Sequence, residues 1–343
     1  MTPKNTEEPV GVGGPGTAAG TDTLPASNRD DAQGMNVVAR SQGQLVARRF
    51  FRHRGALVGM ILFGFVLLLA TTSIGWGLIP GWWDKSPTAT GPLINGGRPT
   101  LGVWPEFLGG GGVAWGEHPF GQDDIGRDYF AVVMRGTQVS LLVAFLVGVV
   151  ATAVGTVIGA CAGFFRGWTE AVLMRITDVT ITIPTLVFAA LVATIAGRQG
   201  IVFLGIFLGL VTWTQTARLV RGEVLSLREK EFVEAARSVG TSAMRIIFKH
   251  ILPNVIGVVI VSVTLAIAAA VLLETGLSFL GFGVQPPDTS LGRLITDYRT
   301  AMMTRAWLFY WPGIFIIAIA LSVNFIGDGL RDAFDPRQNR VRN

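Results

Sequence analysis

Three side chains able to hold a proton or a polar solute interrupt the apolar stretches of this sequence: Asp178, Glu274 and Asn324. An ionisable group in the middle of a membrane-length helix marks a proton or ion pathway, because its desolvation is costly unless function retains it. Asp178 follows Arg175 by three residues near the end of its stretch, which suits an interfacial ion pair better than a relay. Glu274 closes its stretch beside Thr275 and Gly276, where it faces either an aqueous cavity, and so lines a pathway, or the outer interface. Asn324 suits a hydrogen bond between helices and is a second, weaker pathway candidate. His53, His118 and His250 are far apart and lack metal-ligand spacing. The sequence has no glycine-rich phosphate loop ending in Lys-Ser or Lys-Thr, no nucleophile elbow and no carboxylate pair. The chain is therefore expected to be no enzyme, to hold no metal or cofactor of its own, and to draw its energy from a partner.

The segment 231–253, EFVEAARSVGTSAMRIIFKHILP, is polar yet lies between two apolar runs long enough to cross a bilayer. Phe232, Ala235, Ala236 and Val239 recur at helical spacing, Gly240 interrupts, and Met244, Ile247, Phe248 and Ile251 resume the period before Pro253. The pattern predicts a helix, a glycine turn and a second helix lying against the membrane, with Arg237, Arg245 and Lys249 turned to water.

These residues must be positioned by membrane helices. Half of the 343 residues are hydrophobic and only 15% are charged, and the mean hydropathy is +0.50; soluble domains of this length do not look like this. The net charge of +5 fits basic loops on the cytoplasmic side of a membrane and needs no nucleic acid. Cys161 is the lone cysteine and suits a small packing residue. Residues 1–44 carry few bulky apolar side chains and are predicted to be a disordered cytoplasmic tail without a cleaved signal.

Apolar runs at 55–79, 137–163, 171–196, 201–220, 254–273 and 307–326 predict six spans, each near the roughly 20 residues that a bilayer requires. The fold class expected is an all-α polytopic membrane protein. A basic flank (Arg48, Arg49, Arg52, Arg54) and the first span occupy 45–80, an extracytoplasmic loop follows at 81–136, and the core is 137–330 with the polar segment at 229–253 inside it. Residues 331–343 form a basic tail, so both termini are cytoplasmic. Trp76, Trp82 and Trp83 suit an interfacial belt. Pro184 is expected to kink the third span. Gly148, Gly155, Gly159 and Gly163 form a row for close helix approach, either inside the bundle or toward a second membrane subunit.

Glu234-Ala235-Ala236, three residues, Gly240, nine residues and His250-Ile251-Leu252-Pro253 together resemble the EAA signature of membrane subunits in binding-protein-dependent ABC importers. His250 departs from the general pattern, which has Ile there, but the run Lys249 to Asn254 is similar to the peptide branch. HPFGQDDIGRD at 118–128, LSFLGFGVQPP at 277–287 and GDGLRDAFDPR at 327–337 look like the C-type subunit of dipeptide and oligopeptide importers. Leu291 stands where that branch has a tryptophan.

The resemblance implies a type I importer permease paired with a B-type permease, driven by two ATPase subunits that bind ATP and Mg, and fed by an extracytoplasmic solute-binding protein in the bacterial cytoplasmic membrane. It implies that Glu234, Ala235, Ala236, Gly240, Ile251, Leu252 and Pro253 couple to the ATPase. It makes Gln122, Asp123, Asp124, Gly126, Arg127, Asp128, Gln285, Pro286 and Arg293 candidate contacts for the binding protein. Nickel chelates, glutathione and glycosides move through similar subunits and remain alternative cargoes; an ion-coupled secondary transporter is the reading from another class.

Overall fold

A computed structural model describes residues 42–104 and 112–335. The expected disordered tail falls outside the described residues except at its end, where Gln42–Phe50 forms helix α1. Helix α2, Arg54–Ser73, starts on the His53 ring, whose Nδ1 accepts the Ala56 N–H at 3.0 Å. Helix α3, Tyr129–Phe165, starts eight residues before the expected 137 because Asp128 is its N-cap and accepts the Ala131 N–H at 2.9 Å. An aspartate just before an apolar run is a readable start signal. The loop expected at 81–136 is correspondingly shorter.

The third span is two helices, α4 (Gly167–Thr182) and α5 (Thr185–Ala196), bent by 91°. Pro184 lies between them and holds Ile183 in extended backbone, which the residue before a proline favours. The fourth is also broken, into α6 (Ile201–Thr212) and α7 (Thr214–Leu227), at 49° about Trp213. Short helices α8 (Glu231–Ser238) and α9 (Ala243–Ile246) lead through a π-helical turn, Ile247–Ile251, into α10 (Leu252–Phe279). Pro253 has no N–H and its ring crowds the preceding turn, so a widened turn just before it relieves both defects. Helix α11 is Leu291–Asp297, and α12, Trp307–Phe334, carries helix into the expected 331–343 tail. Among the described residues, four helices are long and apolar enough to cross a membrane, or up to six spans if each bent pair counts as one. Apart from a ribbon of β1 (Gly102–Trp104) against β2 (Gly112–Ala114), the described residues are helices and loops.

Helix α3 is the centre, packed by α2, α6, α7, α10 and α11, while α12 pairs with α2 and α10. The glycine row explains how α7 comes so close. A Cβ on Gly155 would lie 2.7 Å from the Trp213 carbonyl oxygen, on Gly159 2.4 Å from that of Ala217, and on Gly163 2.9 Å from that of Arg221. Gly148 meets Ile267 of α10 in the same way. The row therefore serves packing inside the bundle, not a second subunit. Gly159→Val should force α3 and α7 apart and cost about 2–3 kcal/mol; an unchanged thermal midpoint in detergent would contradict this packing.

One apolar core lies along the bundle, with Tyr129, Phe130, Met134, Leu204, Leu277 and Leu308 buried in it. A second, smaller one at the basic end joins Ala160 and Phe164 of α3, Val220 and Val224 of α7, Val233 and Ala236 of α8, and Ile246, Ile247, Ile251 and Val255.

Candidate functional site

The polar segment folds as helix, turn and helix, and its turn is a Schellman motif. Thr241 N–H donates to the Ala236 carbonyl (3.1 Å) and Gly240 N–H to that of Arg237 (2.9 Å). This needs φ of +74° at Gly240, a conformation that a side chain resists, although open space surrounds the position. Glu231 and Glu234 stand in the first turn of α8, where the helix dipole favours acid.

The inward face differs from the expected one. Val233 and Ala236 turn into the second core with Ile246, Ile247 and Ile251, whereas Phe232, Ala235, Val239, Met244 and Phe248 turn outward. Val239 is 80% exposed and Phe248 57%. Of the seven residues predicted for coupling, Glu234, Ala235, Gly240 and Pro253 are exposed, Ala236 and Ile251 are buried, and Leu252 is intermediate. Ala236 and Ile251 thus pack within the bundle. Either stripe has helical spacing, and burial against α3 and α7 decides between them.

At the other end, four of the nine expected binding-protein contacts prove to be internal. Gln122, only 1% exposed, donates from Nε2 to the carbonyls of Pro92 (3.0 Å) and Gly126 (3.2 Å) and accepts the Ile94 N–H (2.8 Å). Asp123 is buried and accepts the N–H groups of Ile125 (3.1 Å) and Arg127 (2.8 Å), an Asx turn, while Arg127 Nε and the Tyr298 hydroxyl donate to its other oxygen. Burial, together with the Asp123 charge, pushes the Tyr298 phenol up to about 12, so it stays a donor. Asp128 accepts from Trp83 Nε1 (3.0 Å) and His118 Nδ1 (2.7 Å). Gln122, Asp123, Gly126 and Asp128 are therefore too buried to meet a partner; Asp124 and Pro286 are exposed, and Arg127, Gln285 and Arg293 partly so. Trp83 joins Trp82, Trp115 and Phe130 in an aromatic cluster over the start of α3.

The two pathway candidates lie within the helix packing, Glu274 fully and Asn324 in part. Glu274 is 1% exposed, and its Oε1 accepts from the hydroxyls of Ser278 (2.7 Å) and Ser290 (2.6 Å), tying α10 to the N-cap of α11. Within this chain it faces neither of the expected surroundings, and its other oxygen, Oε2, is buried without a hydrogen-bond partner among the described residues. Asn324 is half-buried on α12. Asp178 is paired across helices with Arg218 (2.6 Å), not along its own helix with Arg175.

The space a solute could occupy lies elsewhere. A groove of about 920 Å³ runs between α7, α10 and the ends of α5 and α12. Its polar wall is Thr185, Thr212, Thr214, Gln215, Thr216 and Ser262; Val258, Leu265, Ala269 and Leu273 supply apolar wall, and Glu223 and Arg331 stand at its basic end. The sequence signal was the run Thr212-Trp213-Thr214-Gln215-Thr216, four hydroxyl or amide side chains clustered within an expected membrane span.

The sequence that folds into this bundle matches a known family. The model described as binding-protein-dependent transport system inner membrane component covers residues 155–340. The chain belongs to that family. A second model, the N-terminal TM domain of oligopeptide transport permease C, covers residues 41–80 of this permease. The oligopeptide transport system permease protein OppC of Mycobacterium tuberculosis is 41% identical over 227 residues, 66% of this chain and 78% of that one. OppC of Haemophilus influenzae is 35% identical over 308 residues, 90% and 93% of the two chains. As a family member the chain is an integral inner-membrane component of a transport system.

Proposed function

We propose that this permease forms one half of the translocation path of an ATP-driven importer of dipeptides and oligopeptides, beside a B-type permease. Two ATPase subunits, which bind ATP and Mg, dock on α8 and α9; a solute-binding protein delivers cargo at the opposite end. Both termini and the 231–253 segment then lie in the cytoplasm. The observation that carries this reading is the outward apolar face of α8 and α9, with Val239, Met244 and Phe248 uncovered beside Glu234, on an element too polar to enter lipid. Closing of the ATPases would move that element and shift the bundle between inward- and outward-open states. The names of the relatives support peptides as cargo, and so does the groove: hydroxyls and an amide can pair with a peptide main chain without selecting its side chains. Contact with the binding protein falls to Asp124, Arg127, Gln285, Pro286 and Arg293.

The test is reconstitution of the permease pair, ATPases and binding protein in proteoliposomes. ATP-dependent uptake of a labelled peptide is expected. Uptake of a nickel chelate but no peptide would move the chain to another cargo, and solute transport by the chain alone, without ATPases, would overturn the reading.

A further inference from the structure

Where α3 gives way to α4 the chain turns within two residues, Arg166 (φ +51°) and Gly167 (φ +61°). A left-handed backbone costs a non-glycine residue about 1–2 kcal/mol, so the surroundings must hold this elbow. They do so from the root of the polar segment. Arg228, the C-cap of α7, donates from Nη1 to the Phe164 carbonyl, one of the last of α3, which lacks a partner in its own helix. Glu229 Oε1 takes Arg166 Nη2 at 2.9 Å and lies 3.3 Å from Arg228 Nε. On α8, the Arg237 guanidinium lies 5.1 Å over the Phe164 ring, a cation–π contact. Phe164 is itself buried in the same core as Val233 and Ala236 of α8.

Beyond the elbow, α4 is held by charge more than by packing. Thr177 is its buried residue, and ion pairs Arg218–Asp178 (2.6 Å) and Arg221–Glu170 fasten it to α7. Helices with little buried apolar surface shift at low cost. Thr185, the first residue of α5 past the Pro184 break, borders the groove.

We propose that Arg228, Glu229 and Arg237 form a clamp that passes displacement of α8 to the α3–α4 elbow, so that α4 and the groove wall at Thr185 move with the docking element. This is a second route beside the direct continuity of α9 with α10, and it rests on the docking reading above. The three are positioning residues, touching neither cargo nor nucleotide. Burial and the charges of Arg166 and Arg237 push the Arg228 pKa down, in keeping with guanidiniums drawn together around Glu229.

The experiment measures ATP hydrolysed per labelled peptide imported by the whole transporter in proteoliposomes. With Arg228→Met the subunits should still co-purify while that ratio rises about tenfold, the size of a typical coupling between sites, and Arg228→Lys should recover part of it. Arg166→Glu and Glu229→Arg should each raise the ratio, and the double exchange, which re-forms the 166–229 pair but turns a like charge on Arg228, should recover part of it, which a general folding defect would not allow. Wild-type ratios throughout would overturn the clamp; so would failure of the double exchange to recover, which decides the matter if Arg228→Met does not assemble. Glu234→Lys in the same assay separates the two levels. If it keeps ATPases bound and transport normal, the docking reading fails; if it loses them while the clamp variants stay coupled, the clamp alone fails.

Discussion

Glu234→Lys is expected to leave the protein inserted in the membrane, while the ATPase subunits no longer co-purify and peptide uptake falls at least about thirtyfold. Glu234 is exposed on the first turn of α8, so the fold itself loses little when it changes. In a docked interface its carboxylate would be desolvated against a basic partner, and loss of such a pair costs about 2–5 kcal/mol, where each 1.4 kcal/mol is a factor of ten. Reversal of charge adds repulsion. Gly240→Trp should give the same phenotype by another cause: its φ of +74° is unfavourable for a side chain, so the Schellman turn opens and the outward face of α8 no longer aligns with α9. Because Gly240 is exposed and a Cβ there would meet nothing within 4 Å, the bundle should remain folded. Wild-type uptake and wild-type ATPase retention in both variants would end the docking account.

The second large effect lies at the other end. Asp128→Ala should destabilise the loop cap by about 3 kcal/mol or more, because three donors, Trp83 Nε1, His118 Nδ1 and the Ala131 N–H, lose a buried acceptor together. Helix α3 loses its N-cap in the same step. A fall in thermal midpoint, with tryptophan emission shifting to the red as the Trp82, Trp83 and Trp115 cluster opens, is the expected reading in detergent. Asp128→Asn keeps an oxygen acceptor for the helix start and should cost less. Equal stability of the alanine variant and the native chain would show that the cap does not depend on this side chain.

Membrane class, the interruption at Pro184 and the glycine turn at Gly240 were all legible in the residue order, and the six apolar runs agree with the structure if each bent helix pair is one span. Each depends on local physics: apolar length against bilayer thickness, a ring that cannot continue a helix, a backbone angle that one residue type tolerates. The four motifs of the importer family were legible for the same reason, being contiguous strings. The buried stripe of α8 was not, since Phe232, Ala235 and Val239 have the same helical spacing as the stripe that α3 and α7 in fact cover. Nor was the state of the polar groups. Glu274, Gln122, Asp123 and Asp128 read as candidates for function because a sequence cannot say whether a polar side chain has found its partner. Those partners, Ser290 for Glu274 or Trp83 for Asp128, stand 16 and 45 positions away along the chain. The groove at Thr212 to Thr216 likewise exists only where α7 and α10 fail to meet. Spacing along one helix follows from the covalent chain; which neighbour fills each face, and where a gap is left, follows from packing of helices distant in sequence, and the tertiary structure alone decides it.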